Sequence, residues 1–319
     1  MGRFLKKNWF ILGLIILSIL TIGDFGGILA STGLWLKNHR GPDIVIVLIF
    51  VLSGLALDIN QVKDGLTDTK GTLIALVVIF IAAPLSAALF TLVPLDKGVL
   101  IGLLLVAVMP TTLSSGVVMT GSAGGNMAHA LFITIIANSL AVLTIPLSLG
   151  LLLKLTGDSR VIEIDQIPIM LKIASFVLLP LVTGIILRRF IDSLVRPWLK
   201  LCSIINQCAI LSIVWMALSA GRDAILGALG SLIIIVLLVF FFHLALLIVG
   251  FLFCRFSGIE KGKRESVILM GGQKTLPLSA ILQVSLFPTL GTALVVCVVH
   301  HIVHLIMDAA VVGMLKEKE

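Results

Sequence analysis

Long runs of apolar residues, separated by short polar segments, follow one another along the whole chain. Ten such runs approach the roughly 20 residues that a helix needs to cross a bilayer core. They lie near residues 9–30, 43–59, 71–94, 98–120, 126–154, 166–188, 201–220, 227–256, 264–287 and 290–315. Membrane-spanning strands would be half as long and would alternate apolar with polar positions. The pattern therefore predicts an all-α membrane protein with ten transmembrane helices.

The fourth and ninth runs contain residues that interrupt a plain membrane helix. The fourth leads into MPTTLSSGVVMTGSAGGN at 109–126, with a proline, four glycines and many hydroxyl groups. The ninth contains GGQKTLPLS at 271–279. Broken backbone at membrane depth is stable only where protein or a water-filled cavity covers it. Both breaks are therefore candidate binding sites for a solute or an ion.

The two breaks also suggest an internal repeat. TLSS at 112–115 is similar to TLPLS at 275–279. The two segments begin 163 residues apart, which is close to half of the 319-residue chain. Five spans per half would invert the second half relative to the first, as in many secondary transporters; chance is the alternative for so short a match. We predict a single transporter domain over 1–319, with repeats at about 1–156 and 160–319.

Composition and charge add the membrane orientation. Hydrophobic residues make up 59% of the chain and the mean hydropathy is +1.21. Of the 23 Lys and Arg residues, fifteen fall on the side of the N-terminus, six on the other side and two within spans. By the positive-inside rule both termini are expected in the cytoplasm of a multi-pass protein of the cell (inner) membrane. The positive charge thus marks topology and not nucleic-acid binding.

Two segments of the sequence resemble those of a known family. MPTTLSSGVVMTGSAGGNMAHALFITIIANSLAVLTIPL and GGQKTLPLSAIL are similar to segments of the bile acid:sodium symporter superfamily, in particular its bacterial branch related to the seventh type of human solute carrier 10. The resemblance covers essentially the whole chain. It implies two inverted five-helix repeats, a panel and a core domain, and broken helices four and nine that cross near the membrane centre.

The resemblance also implies a site for a coupling sodium ion, at Ser115, Thr134 and Gln273. Sodium-coupled members carry a Glu where this chain has Leu269, and Gly116 and Ala130 stand at two further ligand positions. The departure matters because a hard cation prefers carboxylate or several carbonyl oxygens. No other cofactor is expected. The candidate substrate- or ion-binding residues are Thr112, Ser114, Ser115, Thr134, Asn138, Gln273, Lys274 and Thr275.

Lys274 lies nine or ten residues from either end of its run, where a charge is costly. One interpretation is that its ammonium takes the place of the coupling sodium, so that transport is sodium-independent or coupled to deprotonation of the lysine. The other is a fixed structural cation that neutralises the negative C-terminal end of a half-helix. In the tenth run His300, His304 and Asp308 share one helical face and suit helix pairing, an aqueous route, a proton relay or, less well, a metal.

These features favour a secondary transporter of a small organic anion, working by alternating access and coupled to sodium or protons. Two alternatives stay open: an efflux permease for a small anion, and a membrane regulator that keeps the transporter fold without flux. The runs leave no room for a soluble catalytic domain, and no nucleotide motif is present. An enzyme is not expected. The substrate, the coupling ion, the direction of transport and the oligomeric state are not determined by the sequence.

Overall fold

The regular secondary structure of the chain is helical. The computed structural model describes residues 2–24, 26–57, 68–157, 165–227 and 229–316, and these ranges contain no strand. The first helices are α1 (Gly2–Ile22), α2 (Ile28–Asn38), α3 (Gly41–Ala56), α4 (Thr69–Leu92), α5 (Lys97–Val108), α6 (Ser115–Ser122) and α7 (Met127–Leu155). They are followed by α8 (166–195), α9 (Leu199–Gly227), α10 (Leu232–Phe256), α11 (Arg264–Gly272), α12 (Leu276–Leu286) and α13 (Gly291–Lys316). The all-α class is confirmed.

Several of these helices are long and apolar enough to cross a membrane. In the described residues they are α4, α7, the joined stretch Gln166–Asp223, α10 and α13, with α2 and α3 as a sixth span bent by 77°. Large apolar side chains cover their outer faces; Leu92, Phe190 and Ile233 are 80%, 77% and 74% exposed. Such a surface fits lipid and not water. The chain is an integral multi-pass membrane protein, and the count of ten spans stays a prediction.

The first predicted span, 9–30, is divided in the structure. α1 ends at Ile22 and α2 begins at Ile28, after a turn in which Gly27 adopts a φ of 70°. Asp24 accepts a hydrogen bond from the Ala30 N–H at 2.9 Å, which fixes the start of α2. The hydropathy pattern did not reveal this turn, because the glycines in it lower the mean hydropathy of the run only slightly.

Two prolines change the hydrogen-bond register of the helices that contain them. A π-helical segment, Val78–Ala82, precedes Pro84 in α4, and a second, Ala174–Leu178, precedes Pro180 in α8. In both helices the residue before the proline donates five residues back, from Ala83 to Val78 and from Leu179 to Ala174. A proline cannot donate a backbone hydrogen bond, so each segment leaves a carbonyl without its helical partner.

The helices pack mainly in two sets. Among the described residues, α3 packs against α8 and α9, and α9 against α1 and α2; we call these five the five-helix group. α4 to α7 and α10 to α13 form the eight-helix group. The two groups meet where α9 packs on α12 and α13 and where α8 packs on α7. Within the five-helix group the contact is close, because a Cβ added to Gly54 of α3 would lie 2.9 Å from Gly184 Cα of α8.

Candidate functional site

The two breaks predicted from the sequence lie against each other in the eight-helix group. α5 ends at Val108 and α6 begins at Ser115, while α11 ends at Gly272 and α12 begins at Leu276. The Thr275 N–H donates to Pro110 O at 3.0 Å and joins the two segments directly. We call 109–114 and 273–275 the first and second break. Each exposes helix ends whose carbonyl and N–H groups need partners from elsewhere.

Lys274, in the second break, supplies partners for two of these carbonyls. Its side chain is buried, and Nζ donates to Ile79 O at 2.9 Å and to Met109 O at 3.0 Å. Both acceptors are backbone carbonyls. In the described residues no carboxylate forms a salt bridge with this ammonium.

The sequence explains why both carbonyls are available. Ile79 lies in the π-helical segment of α4, where Ala83 donates to Val78 and Pro84 has no N–H, so Ile79 O lacks a helical donor. Met109 precedes Pro110 and adopts an extended conformation with a ψ of 147°, which ends α5. Its carbonyl belongs to the negative end of the half-helix. Lys274 therefore holds α4, the first break and the second break together.

Gln273 connects the first break to α13 and α10. Its Oε1 accepts from the hydroxyls of Thr112 and Ser115, the second at 3.2 Å. Its Nε2 donates to Asp308 Oδ2 at 2.8 Å, and Asp308 Oδ1 lies 2.8 Å from His243 Nε2. Gln273, Asp308 and His243 are fully buried. A continuous polar network thus runs from the first break through Asp308 to the buried His243 imidazole.

Thr134 and Asn138, on α7, approach the first break from the other side. The Thr134 hydroxyl donates to Ala130 O at 3.0 Å and lies 3.4 Å from Thr112 O. Asn138 Nδ2 donates to Thr134 O at 2.9 Å and lies 3.4 Å from Thr111 O. Its Oδ1, which is buried, has no partner among the described residues. The structure therefore brings α7 to the same break, but mainly against backbone carbonyls.

The oxygen atoms proposed for sodium are engaged with one another. Gln273 Oε1 already accepts two hydroxyls, and Thr134 donates to its own helix. Leu269, at the position where the resemblance implies a Glu ligand in sodium-coupled members, is buried in an apolar cluster with Ala123 and Leu315. Nor does the described part of the chain contain a group of three His, Cys, Asp or Glu suited to a metal. This arrangement fits a hard cation poorly.

Beside the breaks lies a cavity of about 380 Å³ between the two helix groups. The eight-helix group lines it with residues of both breaks and of the adjoining helix starts, among them Thr112, Ser114, Ser115, Thr275 and Pro277. The five-helix group adds a polar patch, in which Asn206 Nδ2 donates to Ser53 Oγ at 3.1 Å, next to Ser203 and Gln207. Trp9, Phe10, Ile49 and Ile210 add an apolar wall. We call this space the central cavity.

Sequence reasoning missed the polar patch of the five-helix group and the role of His243. Ser53 is a single polar residue in an apolar helix, whereas Ser203, Asn206 and Gln207 stand at i, i+3 and i+4 on one face of α9, a pattern that could have marked them. His243 lies 65 residues from Asp308, and only the packing of α10 on α13 reveals the pair. His129, in contrast, is a packed histidine whose ring nitrogens contact Ser266 Oγ at 2.6 Å and Thr72 Oγ1 at 3.0 Å.

Apolar helices on the outside, with two touching breaks and a cavity between two helix groups, define a secondary membrane transporter. The chain belongs to the SBF-like CPA transporter family, whose sequence model matches residues 8–317. It is 28% identical over 292 residues to sodium/bile acid cotransporter 7-B of Xenopus laevis, covering 86% of this chain and 80% of that protein. It is 31% identical over 285 residues to the probable sodium/metabolite cotransporter BASS4, chloroplastic, of Arabidopsis thaliana, covering 83% and 64%. The resemblance inferred from the two breaks and the transporter prediction are confirmed.

Proposed function

We propose that this transporter carries a small organic anion through the central cavity by alternating access between the five-helix and the eight-helix groups. The proposal keeps the predicted ten spans, arranged as two inverted repeats with the two breaks at corresponding places. In this arrangement the five-helix group corresponds to the panel domain and the eight-helix group to the core domain. The protein lies in the cell (inner) membrane with both termini in the cytoplasm.

One observation carries the assignment of an anion. The first residues of α6 and of α12 both line the central cavity: Ser114 and Ser115 at one helix, Thr275 and Leu276 at the other. The N-terminal end of a helix carries a partial positive charge, and its unpaired N–H groups bind anions. Among the described residues that line the cavity there is no Asp or Glu. A carboxylate or sulfonate placed at the two helix ends would be stabilised.

The rest of the lining suits an organic body behind that charged group. On the wall that the five-helix group forms, Trp9, Phe10 and Ile49 offer apolar surface, and Ser53, Asn206 and Gln207 offer hydrogen bonds. A cavity of about 380 Å³ lies within the usual range for small-molecule sites, about 300 to 1,000 Å³. The names of the relatives, sodium/bile acid and sodium/metabolite cotransporter, point to the same class of substrate.

The coupling ion is proposed not to be sodium, although the names of the relatives contain sodium. Three features support this: Leu269 replaces the carboxylate, Gln273 is occupied by two hydroxyls, and the Lys274 ammonium is already bound at the crossing. Lys274 Nζ already donates to Met109 O, at the end of α5 where a bound sodium ion would otherwise lie.

Uptake by the purified full chain in proteoliposomes tests the function. The probes are labelled taurocholate, cholate, pyruvate and citrate, with glucose as a neutral comparison. We expect saturable uptake of at least one anion and none of glucose. Binding without flux would favour the regulator, and flux of inorganic anions alone would favour the small-anion permease.

A substitution that adds a negative charge to the central cavity tests the assignment of an anion. Asn206→Asp keeps the size and can still hydrogen-bond to Ser53, but it places a carboxylate in the central cavity. We expect the affinity for the transported anion to fall at least about tenfold, as for an added like charge in a poorly solvated site. Asn38→Asp, on the exposed end of α2, is the control. If the two variants bound the anion with equal affinity, the anion would not bind in the central cavity.

A further inference from the structure

A cluster of imidazoles lies behind the second break. His243 comes from α10, and His300, His301 and His304 come from α13; each is at most 5% exposed. The ring centres of His300 and His304 are 5.2 Å apart, and His243 is 5.7 Å from His300 and 5.6 Å from His304. The cluster is therefore a continuous buried group of titratable side chains.

Most of these imidazoles are not satisfied by the surrounding protein. Five nitrogens have no hydrogen-bond partner among the described residues: His243 Nδ1, His300 Nε2, His301 Nδ1 and both nitrogens of His304. Buried polar groups are almost always paired, and side chains that serve packing alone would be apolar here. Unpaired imidazole nitrogens are groups that can accept a proton.

Asp308 connects this cluster to the central cavity. One of its oxygens faces His243 Nε2, and the other accepts from Gln273, whose Oε1 in turn accepts from Thr112 and Ser115 in the cavity wall. The carboxylate that is absent at position 269 is thus present behind the same break, on a different helix.

A second route joins the cluster to the cavity. The His301 imidazole lines the central cavity, and its ring centre is 4.6 Å from that of His304, which is next to His243 and His300. The four neighbouring rings extend from the cavity wall to Asp308, so the cluster reaches both the cavity and the carboxylate.

The charged surroundings of the cluster are simple. In the described residues the electrostatic partners of His300, His301 and His304 are one another, His243 and Lys274. Phe10 of α1 and Phe242 of α10 flank the rings and carry no charge. Lys274 Nζ donates to the carbonyls of Ile79 and Met109, and Lys274 is the one titratable neighbour of the cluster from the second break. Asp308 is the carboxylate in contact with the cluster.

We propose that His243, His300, His304 and Asp308 form the proton-binding site of the transporter, and that one proton is carried with the organic anion. The inference rests on the proposed function. With neutral imidazoles, Asp308 places a negative charge behind the anion site. A proton that enters through His301 and is taken up by His243 forms an imidazolium, which neutralises Asp308 and makes anion binding more favourable. By linkage, a bound anion must favour proton uptake to the same extent.

Proton-driven uptake in proteoliposomes tests the proposal, with the membrane potential clamped. We expect an inward proton gradient of about one pH unit to raise accumulation of a transported probe from the panel above by up to about tenfold, because one pH unit is a tenfold ratio of proton concentration and one proton is carried per anion. An inward sodium gradient at equal pH should have no effect. Uptake that ignores the proton gradient would overturn the proton site and leave the organic-anion function intact. No uptake or binding of any probe by folded protein would instead defeat the proposed function.

Two variants locate the proton. Asp308→Asn imitates the neutral state, so anion affinity should stay high and nearly constant between about pH 5.5 and 8, while proton-driven accumulation is lost and anion exchange persists. His243→Gln cannot take up the proton; its anion affinity at low pH should be about tenfold weaker than that of the parent chain. Asp223→Asn and His39→Gln, both exposed, are the matched controls.

A measurement without substrate keeps the test independent of folding defects. In protein labelled with ¹⁵N-histidine, the ring signals are followed by magnetic resonance as the pH is lowered. We expect a buried imidazole to titrate in the parent chain and its titration to shift in Asp308→Asn. Imidazoles of the cluster that stay neutral throughout the pH range of transport would overturn the proposal, as would full proton-driven accumulation by either variant.

Discussion

At the residue scale, Lys274 shows how a charge can be stable at membrane depth without an opposite charge. Its ammonium donates to two carbonyls that prolines have deprived of helical partners, one in α4 and one at the end of α5. The favourable terms are charge-assisted hydrogen bonds and the negative end of the half-helix dipole. This geometry is closer to the fixed structural cation than to an ion that exchanges.

The first prediction concerns this side chain. Lys274→Met keeps most of the volume but leaves the carbonyls of Ile79 and Met109 buried and unpaired. With a cost of about 1 to 3 kcal/mol for each unsatisfied group, the free energy of unfolding should fall by about 2 to 6 kcal/mol. Equilibrium unfolding in mixed detergent micelles measures it.

Lys172→Met is the control for that experiment. Lys172 donates to Ser285 Oγ at 2.5 Å at an exposed position, where water can replace the contact. Its loss should cost less than about 1 kcal/mol. If the two variants were equally stable, the carbonyls around Lys274 would have found other partners and the structural role would be wrong.

The sequence revealed Lys274 but not its partners. Glycines and a proline around Gln273, Lys274 and Thr275 were sufficient to place a break there, because backbone preferences act locally. Ile79 O lies 195 residues away, and its availability depends on the register of α4 near Pro84. The pairing of Asp308 with His243 was equally hidden, since it depends on how two regular helices pack.

At the scale of elements, the close approach of α6 and α11 controls how the two breaks cross. A Cβ added to Gly116, in the first turn of α6, would lie 2.5 Å from Met270 Sδ of α11 and 2.9 Å from Gln273 Oε1. Gly116 also donates its N–H to Thr112 Oγ1 at 3.1 Å, so the glycine position and the hydroxyl network are linked. A side chain here must push the two helices apart or turn Gln273 away.

Gly116→Ala is therefore predicted to destabilise the protein by about 1 to 3 kcal/mol, the usual cost of overpacking, and to weaken anion binding. Thermal unfolding with and without the transported probe measures both effects. Gly313→Ala lies in α13 with nothing within 4 Å of the added Cβ, so it should be neutral or stabilising by up to about 1 kcal/mol. If Gly116→Ala left the stability and the anion affinity unchanged, the Met270 side chain would have moved aside without changing how the two breaks pack.

Element ends were less predictable than the elements themselves. The breaks after α5 and α11 follow from Pro110 and from Gly271-Gly272, whereas the turn between α1 and α2 lay inside an apolar run and was missed. Hydropathy is averaged over a whole run, and three glycines with the single Asp24 did not lower that average enough to divide the run. The π-helical segments could be recognised only in the structure, because from the sequence a proline can equally kink or end a helix.

At the scale of the whole molecule, contacts between helix ends favour the predicted topology. The Lys70 ammonium reaches Ser257 O at 2.5 Å, and the Asn126 N–H reaches Gly262 O at 2.7 Å, which places four predicted cytoplasmic positions at one end. At the other end Arg222 Nη2 donates to Asp24 O at 3.0 Å. These pairs agree with the alternation of sides that ten spans require, an alternation predicted from the number of apolar runs and oriented by the charge bias.

Cysteine labelling on intact cells tests this topology. Asp223 and Glu260 are exposed and lie on either side of α10, so a single crossing separates them. In a background with the four native cysteines replaced by Ala, a membrane-impermeant maleimide should label Asp223→Cys and leave Glu260→Cys unlabelled. Both should react after detergent solubilisation, which controls for accessibility. The reverse pattern would place the basic loops outside, against the positive-inside rule. Labelling of both positions in intact cells would mean that α10 does not cross the bilayer, and the alternation of spans, with the inverted repeat built on it, would fail.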